Sequence, residues 1–153
     1  MKTKNFFKNN KFANFILNLV ETHTMDEGTI KSWARTLGKK AAVNSPAPTP
    51  NGSHGGETIV YPNHFNISQV DPPILASLAE QVGVAIRFSA VIIRVAKFAF
   101  LLATLYLTVS EMASDYNKAL VSQVVLLSLI LKLPLLCIGD FNITPNSLKN
   151  QGG

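Results

Sequence analysis

The order of the predicted helices and strands favours a one-domain α/β or α+β sandwich. Helix-like and strand-like segments are mixed along the chain, and several of the strand-like segments are long and strongly apolar. The 153 residues are 47% hydrophobic and only 15% charged. A chain of this length and composition can bury one core, and it is too apolar for a disordered protein.

The first third of the chain is predicted to hold two helices, one buried strand and a loop. Residues 5–13 show helical spacing of phenylalanines, and the apolar run at 15–20 is typical of a buried strand. Residues 27–37 again show helical spacing, and the glycine that follows is a common helix stop. Residues 44–56 are rich in proline, glycine, asparagine and serine, which predicts a loop.

The rest of the chain is predicted to alternate between strands and helices, with prolines marking several ends. The predicted elements are a strand at 58–61, one or two helical turns at 74–80, strands at 84–95 and 98–108 joined by a hairpin at 94–97, a helix at 116–132 capped by Ser114 or Asp115, and a buried strand at 135–138.

Two carboxylates stand where a buried strand ends. Glu21 follows the strand at 15–20, and Asp140 follows the strand at 135–138 almost at once. A strand end fixes a ligand while the adjoining loop leaves room for substrate, so such positions suit metal binding. Taken alone, a carboxylate at such a position is more often a helix cap or a turn former than a metal ligand. If the two strand ends converge, one site can contain both.

Charge and cysteine content narrow the function classes. The net charge of +5 suits a polyanionic partner, although four lysines in the first eleven residues account for much of it. Cys137 is the single cysteine, which excludes an internal disulfide and a cysteine-based zinc site. It lies in an apolar run, where a small buried hydrophobe is expected.

One short motif carries a family resemblance. Gly139 to Asn142 reads Gly-Asp-Phe-Asn after an apolar strand, with Thr-Pro just beyond, and resembles the signature of the endonuclease/exonuclease/phosphatase family. The resemblance covers roughly residues 6–145. Other segments that resemble the family stand in the same order along the chain: Val20-Glu21-Thr22-His23, Gly55-Gly56 followed by Ile59-Val60, Leu105-Tyr106-Leu107, and the helix near Asn117.

The resemblance implies a fold, an activity and a set of residue roles. The fold is a two-sheet α/β sandwich of the deoxyribonuclease-I-like type, and the activity is metal-dependent hydrolysis of phosphodiesters. Glu21 is implied to bind the ion, normally Mg²⁺ with Mn²⁺ as a substitute. Asp140 is implied to orient or deprotonate the attacking water, Asn142 to hold Asp140 or the phosphate, and Tyr106 to contact the scissile phosphate.

The resemblance leaves the substrate open. Nucleic acid, and DNA in the first place, is the expected partner, and the Glu-Thr-His and Gly-Asp-Phe-Asn segments look most like the endonuclease parts of mobile-element polyproteins. Phosphoinositide phosphatases and sphingomyelinases share the same core motifs. No obligate protein partner is inferred.

The chain departs from the family pattern at both ends. No strand with the family's metal-binding asparagine precedes Phe6, and no Ser-Asp-His segment follows Asn142. Val20 stands where glutamine is usual, and Leu107 where proline commonly follows the tyrosine. Because such residues act as a unit, each loss lowers the rate by orders of magnitude. We therefore expect an incomplete sandwich with little activity of its own, and a remnant without a selected role is a further possibility.

The expected organisation is a partial domain at residues 6–145 and a polar tail at 146–153. The basic N-terminus is followed by a short apolar run without a small-residue cleavage site, so it does not resemble a signal peptide. We expect an intracellular location, in the cytoplasm or the nucleus.

A small membrane protein without enzymatic activity is the alternative. The stretches at 99–109 and 120–138 are apolar enough to suggest two spans. The first is shorter than the roughly 20 residues that a helix needs to cross a bilayer. The second contains Gln123, Lys132 and Pro134, and a charge at bilayer depth costs about 2.5–3.5 kcal/mol. A buried strand and a core helix explain the same residues at lower cost, so membrane contact is not expected.

Overall fold

The computed structural model describes residues 13–23, 26–44, 47–49, 52–108 and 114–142. Most of the predicted helix at 5–13 and the whole predicted tail at 146–153 lie outside these residues. The elements of the described residues are β1 Leu17–Val20, α1 Glu27–Thr36, β2 Lys39–Asn44, β3 Ala47–Thr49, β4 Gly52–His54, β5 Glu57–Pro62, β6 Ile67–Gln69, α2 Pro72–Val82, β7 Phe88–Val95, β8 Phe98–Tyr106, α3 Ser114–Leu131 and β9 Leu135–Asp140.

Two main sheets form the centre of the molecule. The first has the order β1-β5-β2, with both neighbours antiparallel to the buried strand β5. The second has the order β6-β7-β8-β9, in which β8 and β9 run parallel and the other pairs antiparallel. Helix α3 makes the crossover that a parallel pair requires.

The sheets face each other and each has helices on its outer side. Helix α1 packs on the first sheet, and α2 and α3 pack together on the second. The core between the sheets consists of Ala42, Ile59, Tyr61, Val91, Ile93 and Leu102. These layers confirm the predicted two-sheet α/β sandwich.

Helix ends follow the capping chemistry of the sequence. Asp26 precedes α1 and accepts a hydrogen bond from the Gly28 backbone N–H at 2.9 Å. Helix α2 begins at Pro72, where a missing N–H costs nothing, and ends at Gly83 in the left-handed conformation with φ 77°.

The prediction of a continuous loop at residues 44–56 is wrong. Strands β3 and β4 form a two-stranded antiparallel hairpin there. Pro48 lies within β3, and proline is tolerated in such a pair because an edge strand does not need every N–H. Strands β2 and β6 were also not predicted, since their short, mixed sequences take strand form through pairing with β5 and β7.

Several predicted boundaries shift. The strand predicted from residue 84 begins at Phe88, and the following strand ends at Tyr106 rather than at 108. The β7–β8 turn has Ala96 at φ 53°, a left-handed conformation that a tight hairpin requires and that alanine adopts only at a cost of about 1–2 kcal/mol. The apolar stretch near 99–109 is largely β8, which is paired on both sides. None of the described helices is long and apolar enough to cross a bilayer.

Strand β9 approaches β8 very closely at Gly139. A Cβ at this position would lie 1.7 Å from the backbone oxygen of Leu105. Real atoms cannot approach so closely, so only glycine allows the pairing that places Asp140 beside Tyr106.

We predict that Gly139→Ala disrupts the end of the β8–β9 pair. Since the clash is with backbone, we expect the free energy of unfolding to fall by about 3 kcal/mol or more in urea denaturation. The control is Gly83→Ala, at a positive φ with nothing within 4 Å of the added carbon. It should cost only about 1–2 kcal/mol. Equal losses in the two variants would contradict a clash at Gly139.

Candidate active site

The predicted site residues lie at one end of the sandwich. Glu21 follows β1, Tyr106 is the last residue of β8, Asp140 is the last residue of β9, and Asn142 lies two residues further on. The parallel register pairs Tyr106 directly with Asp140. Directly paired residues of neighbouring strands present their side chains on the same face of a sheet.

The two sheets are joined just inside this end. The buried Thr104 hydroxyl on β8 donates a hydrogen bond to the Asn18 side-chain oxygen on β1 at 2.6 Å. Two residues beyond Thr104, Tyr106 interacts with the Glu21 carboxylate across the two sheets, and this interaction raises the pKa of the phenol. The structure therefore brings Glu21 from the first sheet to Tyr106 and Asp140 from the second.

Tyr106 is held as a neutral hydrogen-bond donor. The hydrogen bond to Glu21 is the largest cause that raises its pKa above the usual value, followed by burial and the negative charges of Glu21 and Asp140. A hydrogen bond from the Asn142 side chain acts in the opposite direction. A protonated phenol beside two carboxylates can donate to an anion without adding negative charge.

Asn142 ties the end of β9 to the segment that leaves β8. Its backbone N–H donates to Asp140 Oδ1 at 3.0 Å, and its side-chain nitrogen donates to the carbonyl of Leu107. The Leu107 N–H donates to the Asp140 carbonyl at 2.8 Å. These bonds fix the backbone on both sides of the Tyr106–Asp140 pair.

Three residues at this end have left-handed backbone conformations. The φ angles are 52° at Glu21, 51° at His23 and 47° at Asn142. Asparagine tolerates this region, whereas a residue such as glutamate loses about 1–2 kcal/mol there. The Glu21 turn is held by backbone bonds from Thr22 to Gly56 at 3.1 Å and from His23 to Gly55 at 3.0 Å. Such strain is often found at functional positions.

Asn117 clamps the chain just after Tyr106. Its side-chain oxygen accepts from the Thr108 N–H at 3.0 Å and from the Thr108 hydroxyl at 3.3 Å. Its side-chain nitrogen donates to the Thr108 carbonyl at 2.8 Å. The segment after Tyr106 is thus held by Asn117 at the start of α3 and by Asn142 just after β9.

Glu57 and its partners form a second polar group, which lies beside Glu21 and was not predicted from the sequence. Glu57 begins β5 and is paired in register with Val20, the residue before Glu21. It is 3% exposed and accepts a hydrogen bond from the Asn44 side-chain nitrogen at 2.8 Å. Arg87, just before β7, and Tyr116, on α3, interact with it electrostatically.

Burial dominates the electrostatics of Glu57. It raises the pKa of the carboxyl to about 7, although the Asn44 hydrogen bond and the Arg87 charge lower it. A sequence signal exists, because a carboxylate that opens an apolar strand after two glycines stands in an unusual place. The partners come from three distant segments, so the network itself has no local signal.

The side chains at the site can offer oxygen atoms as ligands. Glu21 and Asp140 supply carboxylate oxygens, and Asn142 and Tyr106 supply neutral polar groups. Within the described ranges, no group of three or more His, Cys, Asp or Glu side chains is placed to hold a metal ion. A hard cation that keeps most of its waters needs only one or two carboxylates, so this donor set fits Mg²⁺ better than a transition metal.

We predict that Glu57 makes stability pH-dependent. Its folded pKa of about 7 lies above the ordinary value of 4.5, so the folded chain holds a proton that the unfolded chain releases between these values. The free energy of unfolding should therefore fall as pH rises from 4.5 to 7, by up to about 3 kcal/mol. Urea denaturation across this range measures the slope.

Glu57→Gln should remove most of that slope, since the amide stays uncharged and can still accept from Asn44. Glu27→Gln, at an exposed position on α1, is the matched control and should keep the parental slope. An unchanged slope in Glu57→Gln would show that another group causes the pH dependence.

We predict that Asn117→Ala loosens the segment after Tyr106. Loss of the three hydrogen bonds should lower the free energy of unfolding by about 2 kcal/mol and speed amide hydrogen exchange at Thr108. Asn117→Asp keeps the acceptor and should give a smaller effect. Lys118→Ala, an exposed neighbour on the same helix, is the control. Unchanged Thr108 exchange in Asn117→Ala would argue against the clamp.

No protein-family model matches the chain, and no curated protein matches it. Solved structures do match. The human Nocturnin catalytic domain with bound sulfate anion aligns with a TM-score of 0.61 and 14% identity, over 98% of this chain and 60% of that chain. ANGEL2, a 2′,3′-cyclic phosphatase in complex with adenosine-2′,3′-vanadate, aligns with a TM-score of 0.58 and 16% identity, over 99% and 46% respectively.

The endonuclease domain of TRAS1, a telomere-specific non-LTR retrotransposon, aligns with a TM-score of 0.45 and 13% identity, over 84% of this chain and 60% of that chain. A likeness at that score supports no argument. The chain spans three fifths or less of the length of these three solved chains. At such low identity the first two matches establish the fold alone. This fold agrees with the one that the Gly139–Asn142 signature implies. The chain therefore has the endonuclease/exonuclease/phosphatase-type fold.

Proposed function

We propose that this chain carries part of a metal-dependent phosphodiester hydrolase site, derived from a nucleic-acid endonuclease and weakly active or inactive by itself. The observation that carries the proposal is the meeting of Glu21, Tyr106 and Asp140 at one end of two facing sheets. The fold class supports it. So do the sulfate and adenosine-2′,3′-vanadate in the two solved structures, because both are tetrahedral or phosphate-like anions.

Each side chain of the site has a separate role in hydrolysis. Asp140 has one oxygen bonded to the Asn142 N–H, which orients the carboxylate and leaves the other oxygen to accept a proton from the attacking water. Tyr106, held as a neutral donor, contacts an oxygen of the scissile phosphate. Asn142 keeps Asp140 and Leu107 in register so that these groups stay in place. Neutral donors suit the reaction because the phosphodiester already carries negative charge.

A divalent ion belongs to the proposal. Glu21 would hold it, with Mg²⁺ preferred and Mn²⁺ as a substitute, and the carboxylate and amide oxygens of the site fit such an ion. When bound, the ion supplies positive charge that offsets the charge of the phosphate. DNA is the proposed partner in the first place, since the net charge is +5. An intracellular location is part of the same proposal.

The test combines binding with cleavage. A fluorescent single-stranded oligonucleotide should bind the purified chain in Mg²⁺ and lose most of its affinity in EDTA or in Glu21→Gln. Plasmid nicking by these 153 residues should be slow or absent, because they contain no Ser-Asp-His segment after Asn142. Any nicking should need Mg²⁺ and fall by about 100-fold or more in Asp140→Asn.

Asp115→Asn is the matched control, because Asp115 is an exposed carboxylate in the first turn of α3. It should leave binding and nicking at parental levels. Oligonucleotide binding that is indifferent to both Mg²⁺ and Glu21→Gln would overturn the proposal. Nicking by Asp140→Asn at the parental rate would overturn the role of Asp140.

A further inference from the structure

A cavity of about 170 Å³ opens beside the first residues of β7. Strand β6 pairs with β7 only at residues 91–93, so β7 extends beyond β6 at residues 88–90. The cavity adjoins this extension, and its other walls come from β2, from the end of β6 and from α2. The side chains of the candidate active site are not among the described residues that line it.

The cavity has apolar walls and a few neutral polar groups. Its apolar surface includes Val70, Leu75 and Phe88, and its polar side chains are Asn44, Gln69 and Ser89. None of the described lining residues has an ionisable side chain. A phosphate would find no cation there, whereas a neutral ligand with apolar faces and polar edges would find both kinds of contact.

The volume of the cavity limits the size of that ligand. An apolar cavity of about 150 Å³ binds benzene, so a volume of about 170 Å³ suits a single six-membered ring with small substituents. A complete nucleotide is too large, because pockets for drug-sized ligands measure about 300–1,000 Å³.

The polar side chains of the cavity offer mainly acceptors. Gln69 donates both N–H groups of its side chain, one to the Ala41 carbonyl and one to the Tyr61 hydroxyl, each at 3.2 Å. The Asn44 side-chain nitrogen donates to Glu57 at 2.8 Å. These bonds use the nitrogens and leave the amide oxygens for a ligand. Cytosine presents an amino donor, whereas thymine presents a carbonyl acceptor and a methyl group.

The cavity lies close enough to the candidate active site for one strand of nucleic acid to reach both. Asn44, Glu57 and Val20 lie side by side in register across β2, β5 and β1. Neighbouring strands are about 4.8 Å apart, so Asn44 lies about 10 Å from Val20, the residue before Glu21. A stacked nucleic-acid strand advances about 3.4 Å per nucleotide, so this distance corresponds to about three nucleotides.

We propose that the cavity binds one pyrimidine base of a nucleic-acid strand, and cytosine in preference to thymine. The inference rests on the proposed function, because the strand is taken to be the one whose phosphate lies near Glu21. Contacts to phosphates carry no sequence information. The cavity would therefore add a base preference to a site that otherwise contacts the backbone of the strand.

The test compares fluorescein-labelled oligodeoxycytidine and oligothymidine of equal length. Both carry the same number of phosphates, so the ratio of their affinities for the full chain reports the base and not the backbone charge. By fluorescence anisotropy in Mg²⁺, oligodeoxycytidine should bind about 5- to 10-fold more tightly, because its amino group gains hydrogen bonds that thymine cannot form.

Two variants test whether this preference arises in the cavity. Ala90→Leu fills the cavity and should make the two affinities equal. Gln69→Leu, at an exposed position, removes one acceptor and should also reduce the preference, so the test does not depend on the folding of Ala90→Leu. Ala99→Leu is the matched control, because Ala99 is a partly buried alanine at the opposite end of β8 from Tyr106. It should keep the parental preference.

The outcomes separate the base site from the proposed function. Equal affinities of the parent for the two oligomers, or a preference that both cavity variants retain, would overturn the base site. Binding that still needs Mg²⁺ and Glu21 would then leave the proposed function standing. A cytosine preference that is lost in Ala90→Leu but persists in EDTA and in Glu21→Gln would support the base site and contradict the proposed metal site.

Discussion

The parallel pairing of β8 with β9 is the constraint on which the site depends. It exists because position 139 has no side chain, so the two backbones can approach where any Cβ would meet the Leu105 carbonyl at 1.7 Å. The same pairing sets Asp140 beside Tyr106 and lets Leu107 donate to the Asp140 carbonyl. A packing requirement and a chemical requirement thus fall on adjacent residues, which is why the Gly-Asp pair acts as a unit.

The candidate site also depends on the face-to-face packing of the two sheets. Each sheet alone presents a strand end with one or two polar groups, and neither can surround an anion. The Thr104–Asn18 hydrogen bond, at 2.6 Å and fully buried on the Thr104 side, joins the two layers close to their common end. A buried polar pair of this kind must remain satisfied, so it resists sliding of one sheet over the other. The strand ends that precede Glu21 and carry Tyr106 are therefore held relative to each other by the core, and the backbone bonds to Gly55 and Gly56 hold the turn at Glu21.

Much of this architecture could be predicted from local sequence. Apolar runs located β1, β8 and β9, and the residues directly after them pointed to Glu21 and Asp140. The strands β2, β3, β4 and β6 could not be predicted in this way, because they are short or rich in turn-forming residues and take strand form only through pairing. The Glu57 network was missed for the same reason: Asn44, Arg87 and Tyr116 become its neighbours only when both sheets and α3 assemble.

The left-handed backbone at Glu21 costs stability, whereas its carboxylate is the proposed ligand of the ion. Glycine at that φ of 52° would relieve the conformational penalty and leave the turn intact, yet it would remove the carboxylate. A screen of variants for thermal resistance alone would therefore favour the loss of this side chain. Under the proposed function, only a screen that also rewards ion or nucleotide binding would retain it, so thermostability engineering of this chain should hold residue 21 fixed.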